Sequence, residues 1–217
     1  MDDAVKTYWK QKCETCAEAF RKNNFEVYLA GNLEAAEKLI KEKIDPAVNP
    51  HVVSWGDSKT LLATGVLDFY RKKEGVEFIE INGDGMSWDE QIEQRRKALQ
   101  ADLFFTGTNA VTEDGLLVNL DMIGNRTGAI TFGPKHVVLL IGRNKICSDL
   151  DTAMERVKHY AAPVNAIRFN LATPCVGTSE CDDCSSDDRI CNVWTITEKS
   201  FPAGRIKIIL INQDLGF

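Results

Sequence analysis

Apolar residues recur along this chain at two spacings, and the switching between them predicts its elements. Over residues 3–23 they fall at Val5, Tyr8 and Trp9, Cys16 and Phe20, the stripe of an amphipathic helix. Residues 25–30 have the length and composition of a strand. Asn32 then stands where a helix N-cap belongs, and that helix is expected to run to about residue 44, closed by Pro46 and Pro50. Residues 51–54 form a second predicted strand. It passes through Trp55-Gly56-Asp57-Ser58-Lys59-Thr60 into a helix with Leu61, Leu62, Val66, Phe69 and Tyr70 on its apolar side. A third strand covers 77–81, and Ser87 with Glu90 has the spacing of a capping box opening a helix to about residue 100. Residues 103–105 are a fourth strand. Turn chemistry at Glu113-Asp114-Gly115 predicts a reversal between Val111 and Leu116-Leu117-Val118. A strand over 136–142 and a helix over 148–160, capped by Ser148 with Asp151 three positions on, follow. Residues 193–197 and 205–211 predict two strands joined as a hairpin on the sheet edge.

Strands alternating with helices of this length predict an α/β fold: a mostly parallel sheet with helices on both faces. In such sheets ligands lie beyond the carboxyl ends of the strands. Three polar, glycine-containing segments follow predicted strands, at 55–60, 106–109 and 142–145, and the topology should gather them at one edge. Gly56, Ser58, Lys59 and Thr60 suit an anionic group, because a turn into a helix start leaves N–H groups unpaired. The alternative is that Asp57 or Ser58 only caps the helix. The GxxxxGK[ST] phosphate loop is missing, which excludes a standard ATPase. The stretch 106–126, TGTNAVTEDGLLVNLDMIGNR, adds Gly107, Thr108, Asn109, Asn119 and Asn125 as ligand-binding candidates. Glu113, Asp114 and Asp121 are candidates for moving protons, and Arg126 and Lys145 for stabilising negative charge. Arg95 and Arg96 lie on the 88–100 helix, where one of the pair can face the cleft.

Composition narrows the partners. Of 217 residues 44% are hydrophobic and 27% charged, which is ordinary for a folded soluble domain, and one domain is expected over 1–217. Residues 1–50 form its N-terminal helical and βα part. A net charge of −6 with no Lys/Arg cluster argues against nucleic acid and anionic lipid as partners. The longest apolar run, 136–141, is strand-sized and no membrane span is expected; with an acidic N-terminus unlike a signal peptide, the expected location is cytoplasmic.

Seven cysteines in such a chain favour thiol or metal chemistry over a disulfide framework. Cys13 and Cys16 form a CxxC pair on an unbroken helix, where two small semi-apolar side chains lining a buried face is the simpler reading. The other concentration is different: Cys175, Cys181, Cys184 and Cys191 fall within seventeen residues lacking any strand or helix period. A loop that long needs something to order it, and the C-x5-C-x2-C-x6-C spacing contains the chelating pair of a metal knuckle. The spacing matches neither a two-cluster ferredoxin nor a paired-knuckle zinc ribbon, so an iron-sulfur cluster and zinc both stay open, as do unligated thiols or a disulfide. Residues 173–192 are thus a candidate metal-binding insert.

The segments WGDSKT (55–60), RRKALQADLFFTGTNAVTEDGLLVNLDMIGNR (95–126), FGPKHVVLLIGRNKI (132–146), the A-A-P-x-N-A-x-R pattern over 161–168 and the final DLGF resemble the lactate-utilisation (LUD) domain family. That resemblance implies a fold like ribose-5-phosphate isomerase, glucosamine-6-phosphate deaminase and the CoA transferases, with 55–60 and 106–119 flanking the ligand cleft. It further implies membership of a complex with iron-sulfur partner subunits that oxidises lactate to pyruvate. The four-cysteine segment resembles a subgroup of the family and suggests a [4Fe–4S] cluster. Two features depart from the wider fold group: Asn109 stands where the sugar-phosphate isomerases place an acid, and no glycine-flanked glutamate matches the CoA-transferase nucleophile. Three functions compete: a subunit of a lactate-oxidising system binding a small anionic substrate or cofactor, a free-standing enzyme on a phosphosugar-type or acyl-type substrate, and a non-catalytic binding module with structural zinc.

Overall fold

Helix α1 (Asp3–Lys22) turns Cys13, Cys16, Ala17 and Phe20 inward, so the later part of its predicted apolar stripe is its packing face, while Val5 and Tyr8 at its start are exposed. The computed structural model describes residues 3–217; Met1 and Asp2, which begin the acidic N-terminus, lie outside the described residues. Strand β1 (Glu26–Ala30) follows, and Asn32 accepts a hydrogen bond from the Ala35 N–H to start α2 (Leu33–Leu39). Pro46 does not close this helix as expected. The chain winds as a π-helical turn over Ile40–Ile44 and continues into α3 (Asp45–Val48), with the proline in its first turn, where no N–H is required. Asn49, at φ 47°, ends it in the left-handed region.

Strand β2 (Val52–Trp55) leads to α4 (Lys59–Leu62) and α5 (Val66–Lys72). The single helix expected here is broken: the Thr64 hydroxyl donates to the Leu61 carbonyl, and the Gly65 N–H turns to the Glu37 carboxylate at 3.1 Å. Strand β3 (Glu77–Ile79) and α6 (Trp88–Ala98) come next, the latter opened by the predicted Ser87/Glu90 capping box. Strands β4 (Leu103–Thr106), β5 (Ala110–Thr112) and β6 (Leu117–Asp121) then lead to α7 (Asn125–Thr131) and β7 (His136–Gly142). A 3-10 turn at Arg143–Lys145 joins β7 to β8 (Ile146–Cys147). Helix α8 (Leu150–Arg156) is capped by Asp149, one residue later than predicted, because Asp149 rather than Ser148 accepts the Thr152 N–H, at 2.8 Å. A second π-helical turn, Val157–Ala161, carries the helix past Pro163 into α9 (Ala162–Arg168), the same device as at Pro46. The short α10 (Pro174–Thr178), β9 (Val193–Thr197) and β10 (Ile206–Ile211) complete the chain.

Six strands form one all-parallel sheet in the order β1-β10-β7-β4-β2-β3, flanked by helices, and the predicted fold class holds. A smaller sheet, β8-β5-β6-β9, contains the predicted reversal at 113–115 as the β5–β6 antiparallel pair. The C-terminal hairpin does not exist. Strand β9 pairs with β6 in the small sheet, whereas β10 runs parallel between β1 and β7 in the interior of the large one. The reason is chemical: Ile206–Ile211 is buried at every position, the signature of a central parallel strand covered on both faces. Its Lys207 survives there by pairing with Glu26 at 2.5 Å. Parallel alignment puts the C-terminal ends of β2, β4, β7 and β10 on one edge, where the site lies.

Candidate functional site

At that edge opens a cleft of about 710 Å³, lined by residues from the ends of β2, β4 and β6, from the 3-10 turn after β7, and from α6 and α9. The convergence predicted from the three polar segments is present. Asp57, Ser58 and Lys59 come from the first, Gly107, Thr108 and Asn109 from the second and Lys145 from the third, with Asp121, Asn125 and Arg126 from the β6–α7 connection. The chain brings them close by omitting side chains: a Cβ on Gly107 would stand 2.7 Å from the Ser58 hydroxyl oxygen, and one on Gly56 would stand 3.0 Å from the Thr106 hydroxyl oxygen and 3.1 Å from the Phe104 ring. Gly56 is therefore a packing residue and does not line the cleft.

Arg126 is the hub of the floor. Its guanidinium donates to Asp121 Oδ1 at 2.8 and 3.0 Å, to Asn119 Oδ1 at 2.9 Å and to Asn109 Oδ1 at 2.7 Å, so one side chain ties together the ends of β4 and β6 and the start of α7. Asp121 also accepts the Thr127 N–H at 2.9 Å. Burial alone would raise the Asp121 pKa, but Arg126 and that N–H hold it below the ordinary value. Asp121 is thus a fixed carboxylate and Arg126 is already neutralised. Asn119 lies buried beneath this network.

Lys145 differs. It is 5% exposed, lines the cleft, and donates to the Thr108 carbonyl at 2.9 Å. Burial first, then the positive charges of Arg156 and Arg126, lower its pKa to about 7. Thr60 sits beside it, behind the tail: a Cβ on Gly216 would be 3.0 Å from the Thr60 hydroxyl oxygen and 3.5 Å from Lys145 Nζ. The tail is fastened by Asn144, which accepts from the Leu215 N–H and donates to the Gly216 carbonyl.

Several expectations for this region change. Ser58 lines the cleft, and its hydroxyl oxygen caps α4 by accepting the Leu61 N–H at 3.3 Å. Lys59 is exposed at the cleft mouth. Glu113 and Asp114 do not line the cleft. They occupy the β5–β6 turn against α1, where Glu113 pairs with Lys12 and the Asn23 amide donates to the Asp114 carbonyl. Arg95 faces the cleft, stacked on Trp88 and bonded to Asn82, while Arg96 pairs with Glu93 outside it. Arg168 on α9 was missed. It reaches across to Asp57 at 3.0 Å and stacks over Phe169, its centre 4.5 Å from the ring. Its signal lay in the 161–168 pattern, where Asn165 and Arg168 are three apart on one helical face.

The four late cysteines line a second, small cavity beneath α9, together with Ala162, Pro163, Arg189 and Ile190. All four are half-buried free thiols. Arg189 orders the loop by donating to the carbonyls of Cys184 and Cys191, and Lys158 holds Asp183 at 2.5 Å. Burial raises the Cys191 pKa above the ordinary thiol value, and the nearby Arg189 and Lys158 offset this only in part. Among the described residues no three Cys, His, Asp or Glu side chains are set to grip a single ion. Ala162 and Ile190 line both this cavity and the cleft, so the two share a wall. Cys13 and Cys16 are buried on α1 with their thiol pKa values raised by burial, consistent with packing.

The chain is similar in structure to a DUF162 family protein from Deinococcus radiodurans, with a TM-score of 0.50 over 95% of this chain and 98% of that one, at 11% identity. That likeness concerns the fold. No curated protein matches the chain. The LUD domain model matches residues 13–211, which takes in both sheets and the cysteine segment, and the chain therefore belongs to the LUD domain family, whose involvement in lactate utilisation holds at the family level.

Proposed function

We propose that this chain is a component of a lactate-utilisation system, in which the cleft receives a small carboxylate and Cys175, Cys181, Cys184 and Cys191 hold a [4Fe–4S] cluster facing iron-sulfur partner subunits. The observation that carries this reading is the shared wall: a receptor edge with an unneutralised buried lysine lies against a cavity lined by four free thiols. The thiols fit such a group. They line one cavity together, and two cations, Arg189 and Lys158, lie close to Cys191. When bound, a cluster supplies one-electron exchange. The chain's own part is to position the carboxylate: Lys145 offers a positive charge in its protonated form, Arg126 fixes the floor, and Trp88, Met122 and Ile123 line the mouth.

Anaerobically purified protein should contain iron and acid-labile sulfide and be coloured. Colourless protein containing zinc without iron would overturn the cluster and leave a structural site. Cys184→Ser should release the metal and expose residues 173–192 to protease; unchanged metal content would reassign the ligands.

A further inference from the structure

We infer that Lys145 is a covalent site, its ε-amine condensing reversibly with the carbonyl of a 2-oxo acid held in the cleft. This rests on the reading of the cleft as a carboxylate receptor and adds a chemical step to it. Buried lysines are ordinarily ion-paired, and Lys207, the other buried lysine of the described residues, follows that rule with Glu26 at 2.5 Å. Lys145 does not. Its hydrogen-bond partner is the neutral Thr108 carbonyl, and the charges acting on it, Arg156 from α8 and Arg126 from α7, are both positive. Asp121, the acid lining the cleft floor, is committed to Arg126 at 2.8 Å. The remaining lining acid, Asp57, is committed to Arg168 at 3.0 Å. The open side of Lys145 is the cleft it lines, with the tail passing beside it at Gly216, where a Cβ would stand 3.5 Å from Nζ.

Such surroundings keep an amine neutral, and a neutral amine is a nucleophile. Its lowered pKa, about 7 against an ordinary 10.5, is consistent with this and gives on the order of 10³-fold more free amine at neutral pH than an exposed lysine has. In the step, the Nζ lone pair forms a C–N bond to the carbonyl carbon, and the carbonyl π pair moves to oxygen, which takes a proton from the former amine. A further proton from solvent lets that oxygen leave as water, giving a protonated imine. No electrons enter or leave, and water reverses the step.

The test uses the whole protein with pyruvate as probe, reduction by borohydride, and peptide mapping by mass spectrometry, with calorimetry of pyruvate binding in parallel. The expected result is a reduced three-carbon adduct on Lys145, increasing as pH rises through about 7 and lost in Lys145→Arg. Pyruvate that binds without an adduct, or with adducts on exposed lysines such as Lys59, would overturn the covalent step while leaving the receptor reading intact. Pyruvate that does not bind would overturn both.

Discussion

An anion entering the cleft changes the acidity of Lys145, and this gives the site a pH dependence with a definite sign. The folded-state pKa is lowered to about 7 from 10.5, so between those values the unfolded chain holds a proton that the folded chain lacks. Stability contributed by this group therefore rises with pH across that window, and the burden of the buried ammonium is fully present below about 7. Lys145→Met should remove that slope and be at least as stable as the parent at pH 6, read by urea denaturation. The same variant should weaken carboxylate binding by about 1.5–3 kcal/mol, the worth of a charge-assisted hydrogen bond. In the parent, noncovalent anion affinity should fall as pH rises through about 7, with proton uptake on binding above that pH, measurable by calorimetry in buffers of different ionisation enthalpy. Asp102 has the opposite sign. Lys135 first, against the cost of burial, and then the N–H groups of His51 and Val52 at 2.9 Å depress it to about 2. Its contribution is present above about pH 4 and is lost as pH falls through about 2. Asp102→Asn should destabilise by about 1–3 kcal/mol at neutral pH, with the difference closing under acid.

At the scale of elements, strand β10 anchors the large sheet and strand β9 lies on the margin of the small one. Ile209→Ala should cost about 2–5 kcal/mol, as a fully buried truncation does, whereas exposed Ile196→Ala should cost well under that. Thermal denaturation of the two variants separates them. The sequence pattern showed both strands but not their partners, because a run of apolar residues reports burial on both faces and says nothing of which neighbours supply it. It also placed a proline stop at Pro46 and ended the later helix at about residue 160. In both places the helix is instead carried on through a π-helical turn, a hydrogen-bond register that leaves no mark in composition. The three glycine-bearing segments at strand ends were legible, since parallel topology alone brings them together. Arg168 and Asn82 were not, because they reach the cleft from α9 and from the loop after β3, whose placement no local pattern fixes.

On the scale of the whole molecule, Ala162 and Ile190 set the cysteine cavity and the cleft on two sides of one wall. Loosening the cysteine segment should be felt at the receptor edge: Cys184→Ser is expected to lower carboxylate affinity as well as metal content, because Ile190 and Ala162 belong to both. Unaltered affinity in the metal-free variant would show the regions to be independent. The ion pair between Asp57 and Arg168 spans the cleft from the β2–α4 connection to α9, with both side chains partly open to solvent. Dissolved electrolyte weakens such a clasp by screening it. The entrance should therefore loosen in brine and tighten in dilute buffer, so that ligand exchange speeds up with ionic strength even as the attraction drawing an anion inward fades.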